Sequence, residues 1–393
     1  MRTLIIMLVF SIYFIGCSDS PGPVGSDLLN PVDILSLTTL NSDSLTQSSS
    51  SVLVKVTTEA SSQVLLGKFK ETEASFLVQF DFSTLPDTVK SLVNNDSIQI
   101  KQAVVKMYAV YNLGDKSLPF DYSVHKINSS WTSSGFTIDS LAALNYDAED
   151  VSSDKNIEND TIYSFNLGIN VLSEWMKHEA DTTNLQASDH GIYLEPSPGS
   201  GRIVGFQALS ATPIEPFINI SMIYEKIGEG IDDTLLFTTL SDIHVVKGNF
   251  TPANSENFFI QGGVAVNAML KFDLPAISPY SIVNSANLTL NYDSTKSYLG
   301  SPVPTYLTVR FLTDSSQIQY DSTNVTLLTK NNYSYTGSIS GFVQRWINGE
   351  KNEGMLISFY NEKEIVDLLA FYAGTAVEQN KKPQLIIKYS TKK

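Results

Sequence analysis

One cysteine, Cys17, is all the sequence contains, and a lone cysteine cannot close an intramolecular disulfide. A folded body must therefore rest on core burial. Histidine is nearly as scarce. His125, His178, His190 and His244 lie far apart in the chain, which thins the case for metal or nucleophilic catalysis. The chain carries no Gly-x-Ser-x-Gly elbow, no His-Glu-x-x-His helix and no phosphate-binding loop. Charge is sparse too: 17% of residues are charged, against roughly 25% in ordinary globular proteins. Basic residues are in the minority, and the net charge of −15 repels phosphate backbones and argues against nucleic acid as a partner.

Apolar residues are present in quantity. A hydrophobic fraction of 42% supports packed cores, and 393 residues exceed what one core normally serves, so two domains are expected. The longest apolar run, from Leu4 to Ile15, follows Arg2 and ends in Phe14-Ile15-Gly16-Cys17. It is too short to span a bilayer, which takes roughly 20 residues, and has the make-up of a signal peptide. Its end resembles a bacterial lipobox, with Gly16 as the small residue before the cysteine and Phe14 where such boxes usually carry leucine. The resemblance implies cleavage after Gly16, lipidation of Cys17 and anchoring to a membrane, at the outer membrane or cell surface. Residues 17–50 then read as a lipidated tether, rich in Ser, Pro, Gly and Asp from Ser18 to Asn30 and ending within the run Ser48-Ser49-Ser50-Ser51.

The remainder contains one pattern twice. Gln79-Phe80-Asp81-Phe82 recurs as Lys271-Phe272-Asp273-Leu274, and Ala103-Val104-Val105 as Ala286-Asn287-Leu288. Tyr122-Ser123-Val124-His125 recurs as Leu307-Thr308-Val309-Arg310. Val171 to Met176 recurs as Phe342 to Ile347, and Gly191-Ile192-Tyr193-Leu194 as Gly354-Met355-Leu356-Ile357. Pro216-Phe217-Ile218-Asn219-Ile220 closes the first copy, and Pro383-Gln384-Leu385-Ile386-Ile387 closes the second. Matches in conserved order indicate a duplication.

Period-two alternation, as in Ala286, Leu288, Leu290 and Tyr292, makes most segments strands. Val171, Leu172, Trp175 and Met176, and likewise Phe342, Val343, Trp346 and Ile347, sit at helical spacing instead. The expected fold is all-β: two tandem jelly-roll-like β-sandwich domains, each with one short helix. The first should span 51–226, the second 232–393, with a linker at 227–231.

The second copy carries Phe272-Asp273-Leu274-Pro275, Val343-x-x-Trp346-x-x-Gly349, Asn352-x-Gly354-x-x-Ile357 and Lys382-Pro383-x-Leu385-x-Ile387. It resembles the DNRLRE, or disaggregatase-related, repeat family. The first copy fits more loosely, with Lys177-His178-Glu179 where that family has glycine after the helix. Val24 to Leu29 and Leu65 to Phe69 are similar to Bacteroidota lipoproteins of unknown function. The DNRLRE resemblance implies an exported jelly-roll sandwich, with carbohydrate-binding modules for alginate-like polysaccharides among its members. Its motifs are glycines, prolines and core hydrophobes, so they speak of fold and name no catalytic residue.

A non-enzymatic envelope lipoprotein with a surface carbohydrate-binding or adhesion module follows as the expectation. The alternative is a structural or assembly lipoprotein that contacts other envelope proteins. Sugar rings stack on aromatic side chains, so loop aromatics are the candidate contacts: Trp131, in Asn128-Ser129-Ser130-Trp131, and Tyr333 and Tyr335, in Asn331-Asn332-Tyr333-Ser334-Tyr335. Trp175 and Trp346 belong to apolar helix stripes and are assigned to core. Asp154, Glu158 and Asp160 crowd one segment whose oxygens suit calcium, though its spacing is not that of an EF-hand and a solvated insertion is the favoured reading. His125 and Arg310 fall at equivalent, outward strand positions.

Overall fold

A computed structural model describes residues 35–54, 56–181, 189–209 and 217–392. Cys17 and the expected signal segment lie outside the described residues. The fold is all-β, with twenty-one strands and four short helices among those residues.

The chain opens with β1 (Leu35–Asn41), β2 (Gln47–Leu53), β3 (Gln63–Phe69) and β4 (Thr72–Phe80). Helix α1 (Asp87–Asn94) leads to β5 (Ile98–Leu113) and β6 (Tyr122–Lys126). Helix α2 (Ile138–Ala142), β7 (Ser152–Glu158), β8 (Ile162–Leu167) and helix α3 (Ile169–Ala180) follow. Next come β9 (Ile192–Pro196), β10 (Ile203–Gln207), β11 (Asn219–Lys226) and β12 (Asp232–Lys247). The second half contains β13 (Asn257–Gln261), β14 (Val266–Phe272), β15 (Ile282–Asn291), β16 (Tyr306–Asp314), β17 (Gln319–Asn331) and β18 (Ser334–Ser338). It ends with helix α4 (Ser340–Ile347), β19 (Met355–Phe359), β20 (Leu368–Tyr372) and β21 (Gln384–Lys392).

Strand partners divide the chain into two bodies. One sheet runs β10-β3-β4-β12-β11-β5-β8-β7, with β9 on β4 and β6 on β9. Its sixteen-residue strands β5 and β12 bend so that each serves both layers: β5 pairs with β11 early and β10 late, and β12 with β11 early and β4 late. The other sheet runs β1-β21-β15-β18-β17-β16-β19-β14-β13-β20, with β2 on β14. Inward residues of the alternating strands fill each interior. Phe76, Val105, Phe165 and Phe206 do so in the first body, and Phe272, Leu288, Phe311 and Ile357 in the second.

Internal register supports the duplication pair by pair. His125 faces Tyr193 and Val124 faces Leu194, as Arg310 faces Leu356 and Val309 faces Ile357. Leu77–Tyr193 and Val78–Ile192 repeat as Met269–Leu356 and Leu270–Met355. Gly191 and Gly354, with φ of +82° and +87°, enter the equivalent strands, and a Cβ there would lie 2.1 Å from the Val78 carbonyl or 2.7 Å from that of Leu270. Only glycine tolerates that approach and that φ.

At the C-terminal motif the register corrects the sequence match. Val105 pairs with Ile220 while its counterpart Leu288 pairs with Leu385, so Leu385 corresponds to Ile220 and not to Ile218. A two-residue slip preserves the buried face and is invisible to alternation.

The expected boundaries need a larger correction, because the two bodies exchange strands. Residues 35–50, expected in the tether, are largely β1 and β2, and both belong to the second body: β1 pairs with β21, and β2 with β14. In return, β12, expected to open the second domain, pairs with β11 and β4 of the first. β2 on β14 occupies the place that the end of β12 holds on β4, with Ser50 opposite Met269 where Ile243 is opposite Leu77.

Helices differ from expectation in the first body alone. Helices α3 and α4 bury Trp175 and Trp346 as expected. Helix α1 begins directly after Pro86, and α2 opens on a capping box in which Thr137 and Ser140 satisfy each other's backbone N–H groups. Both lie in segments with no counterpart in the second copy.

The bodies meet through a shared apolar cluster, in which Leu65, Ala74, Leu113 and Ile203 of the first pack with the core of the second, and through buried polar contacts. Tyr111 Oη donates to Asp367 at 2.6 Å, and the Gly300 N–H donates to the other oxygen of that carboxylate at 2.6 Å. Burial pushes the Asp367 carboxyl up to about 6. Phe69 packs edge-on against Tyr298, and Asn112 bridges to Ser301.

Candidate functional site: an open sheet face on the second body

The duplication offers a comparison within one molecule. On β6 and β9, His125, Tyr193 and Glu195 point away from the first core. Residues 127–146 cover them: Ile127, Phe136 and Leu141 bury against Leu77, Tyr193, Ile243 and Val245, with Trp131, Leu144 and Tyr146 alongside. His125 is thus buried, although its strand position is outward. Its Nδ1 lies 3.0 Å from the Asp147 carbonyl and its Nε2 3.4 Å from the Glu195 carboxylate.

Among the described residues, the second body has no segment equivalent to 127–146 at this point of the chain. After Arg310, β16 runs on to Asp314 and returns directly as β17. Alternation places Tyr306, Thr308 and Arg310 of β16 on the outer face, since Leu307, Val309 and Phe311 fill the core. Ser358 faces Thr308 across β19, and Leu327 and Val325 face Thr308 and Arg310 across β17. Tyr320, opposite Leu312, extends the row. Leu312 and Leu356, buried yet outside the core cluster, floor this face. Three tyrosines stand on it: Tyr306 at 43% exposure, Tyr320 at 41% and Tyr360 at 65%. Tyr306 and Tyr360 meet edge to face at 6.3 Å. From Tyr306 to the level of Tyr320 is six residues of β16, or about 20 Å at ~3.3 Å per residue.

The polar groups of the face are held in place. Arg310 Nη1 donates to Ser358 Oγ at 2.8 Å, and its guanidinium lies 5.3 Å from the Tyr320 ring centroid. Glu362, from the loop between β19 and β20, has its carboxyl raised by burial against the opposing pull of Arg310. The Asn267 amide donates to it at 3.1 Å. A groove over the paired strands β14 and β2 is lined by Ser48, Ser50, Met269, Lys271, Ser315 and Glu353. The serine run of the N-terminal segment is therefore one wall of this surface. Aromatic rings flanking fixed donors and acceptors suit a ligand with apolar ring faces and many hydroxyls.

The residues singled out from sequence do not gather here. Trp131 is half-buried in the cover of the first body, where its Nε1 donates to the His190 carbonyl at 2.8 Å and its ring meets Phe136 edge-on. Tyr333 is 66% exposed and stands against Tyr292. Tyr335 is fully buried, with Oη donating to the Pro304 carbonyl at 2.7 Å, so it presents no surface to a ligand. Its neighbour's exposure follows from period two.

Asp154, Glu158 and Asp160 do not converge either. They lie along the β7–β8 hairpin, with Asp154 at a bulge and Asp160 in the turn, both at positive φ. Asp154 accepts from Asn166 Nδ2 at 2.8 Å, while Glu158 lies about 13 Å further along the strand by residue count. No cluster of three or more potential metal-binding side chains exists among the described residues. Among them, too, no helix is long and apolar enough to cross a membrane.

Sequence reasoning found Arg310 through its equivalence to His125, but missed Tyr306, Tyr320 and Tyr360, whose signal was their place in the strand pattern. No protein family, curated protein or solved structure matches the chain.

Proposed function

We propose that this protein is a lipid-anchored envelope protein that binds polysaccharide on the outer face of β16, β17 and β19. One observation carries the reading. Two copies of one β unit share register residue by residue, yet the segment that roofs the outer face in the first has no equivalent in the second, where three exposed tyrosines rim buried Thr308, Ser358, Leu312 and Leu356 with Arg310 and Glu362 beside them. Exposed aromatic and apolar side chains grouped on a single face mark an interaction site. The lipobox resemblance at Cys17 supplies the anchor, and the DNRLRE resemblance supports a glycan as the ligand class.

The test is a glycan array on the exported chain, followed by titration of the hits with Tyr306→Ala/Tyr360→Ala. Losing two stacking rings should weaken binding about tenfold or more, with the melting temperature unchanged because both side chains are exposed. Undiminished binding by the double variant would sink the assignment of the face. For the anchor, Cys17→Ala should move the protein from the membrane fraction to the soluble exported fraction.

A second reading, docking to other envelope proteins, is favoured by β1. This edge strand, Leu-Ser-Leu-Thr-Thr-Leu-Asn, carries no charge or proline and exposes Leu35 and Leu37, the features of an edge open to strand addition. Cross-linking of envelope proteins through β1, with no glycan bound by the array, would favour it over the first.

A further inference from the structure

The first body buries an arginine without a counter-charge. Arg202, just before β10, is 3% exposed and forms no ion pair within 4.0 Å among the described residues. Its side chain touches the Tyr163 hydroxyl, Nη1 lies 3.4 Å from Asn112 Oδ1, and Nε has no acceptor. The rings of Phe120 and Tyr163 hold the guanidinium from 5.4 and 5.9 Å.

The duplication sharpens the anomaly. Val204 pairs with Leu66 as Leu369 pairs with Ile260, which puts Arg202 at the position of Asp367 in the other body. Asp367 has its hydrogen bonds, from Tyr111 and Gly300. Arg202 has neutral partners alone and an unsatisfied Nε, and a buried charge without an ionic partner is strongly unfavourable.

A cavity of about 250 Å³ lies against this arginine. Asn112, Lys116, Tyr163 and Asp160 line it from the first body and Ser301 from the second, so it sits where the two bodies join, a common place for ligand sites. Two of its lining residues are cationic and Asp160 is its single carboxylate, a local excess of positive charge on a chain of net charge −15.

We propose that this junction pocket is an anion site, in which Arg202 receives the carboxylate, phosphate or sulfate group of a small ligand and Lys116 adds attraction at the rim. Planar guanidinium matches such oxyanions, and the flanking rings hold it in place before the ligand arrives. The site is separate from the open face and does not depend on the polysaccharide reading.

The test is a titration of the exported chain with sodium phosphate, sodium glucuronate and glucose at constant ionic strength, read at the Arg202 Nε–H resonance. Both anions should shift it saturably and glucose should not. Lys116→Ala, an exposed substitution, should weaken binding severalfold, and Arg202→Met should weaken it about tenfold or more. If Arg202→Met fails to fold, the wild-type resonance and Lys116→Ala decide. Tighter glucuronate binding identifies a sugar-borne anion and tighter phosphate binding a free oxyanion, and either supports the site. A shift that never saturates, an equal response to glucose, or affinities unmoved by Lys116→Ala overturn it.

Discussion

Ser51 is the last of four consecutive serines, yet its hydroxyl should be essential to the far end of the chain. It is nearly buried in β2, and its Oγ accepts the Phe259 N–H at 2.8 Å. Ser42, between β1 and β2, does the same for the Leu385 N–H at 2.8 Å. Replacing either by alanine strands a buried donor, at a cost of about 1–3 kcal/mol. The sites share no partner, so the double variant should lose about 2–6 kcal/mol. That is a large share of the roughly 5–15 kcal/mol that holds a domain folded. Each lost kcal/mol should lower the melting temperature of a body this size by about 2–4 °C. Ser48→Ala, at an exposed position of the same run, is the control and should stay within about 0.5 kcal/mol. Thermal melts measure the loss, and amide exchange at Phe259 and Leu385 locates it. If Ser51→Ala melts like Ser48→Ala and those amides stay protected, the strand exchange is wrong.

Trp346→Ala should destabilise the second body by about 3–5 kcal/mol, since the indole is 7% exposed and stacks on Phe311 at 5.8 Å. Trp131→Ala should cost distinctly less, and equal losses in urea melts would refute the contrast. Burial pushes the Asp367 carboxyl up to about 6 in the fold, above the ordinary carboxylate range. Its contribution is therefore complete below the unfolded pKa and is lost as pH rises through about 6, a change of about 3 kcal/mol. Stability curves of Asp367→Asn should lack that fall, and a slope identical to wild type between pH 4 and 7 would contradict the assignment. A chain beginning at residue 57 lacks β1 and β2. Its second body should unfold while the first, complete with β12, keeps a cooperative transition followed at Trp175; loss of both together would show that the bodies do not stand separately.

Class and periodicity were legible because they are local. Alternation in β15 and the apolar stripes of α3 and α4 report which face is buried, whatever the partner. Partner choice is not local. β1 and the early half of β12 hold the same place on β21 and β11, and β2 and the late half of β12 the same place on β14 and β4, so order along the chain does not say which strand completes which body. Which one does depends on contacts hundreds of residues away, such as Ser36 with Thr391. The serine run looked like a leash because small polar residues dominate linkers, yet they also suit a strand whose hydroxyls cap a neighbour's N–H. Tyr335 and Tyr333 were indistinguishable without knowing which face of β18 was inward. The open face was hidden for a subtler reason: it is defined by the absence of the insertion that covers its twin.

The exchange of β1 and β2 also decides where force travels. Tension applied at the N-terminus enters at Leu35, which pairs with Lys392 at the other end of the chain, and is borne by seven residue pairs between β1 and β21. It then reaches β2, held by seven more on β14, and β14 adjoins β19 beneath the open face. A load between the N-terminus and anything gripped on that face therefore crosses the second body alone. The first body, although β3 follows β2 directly in sequence, hangs outside the line of tension and stays folded at loads that would pull the second apart.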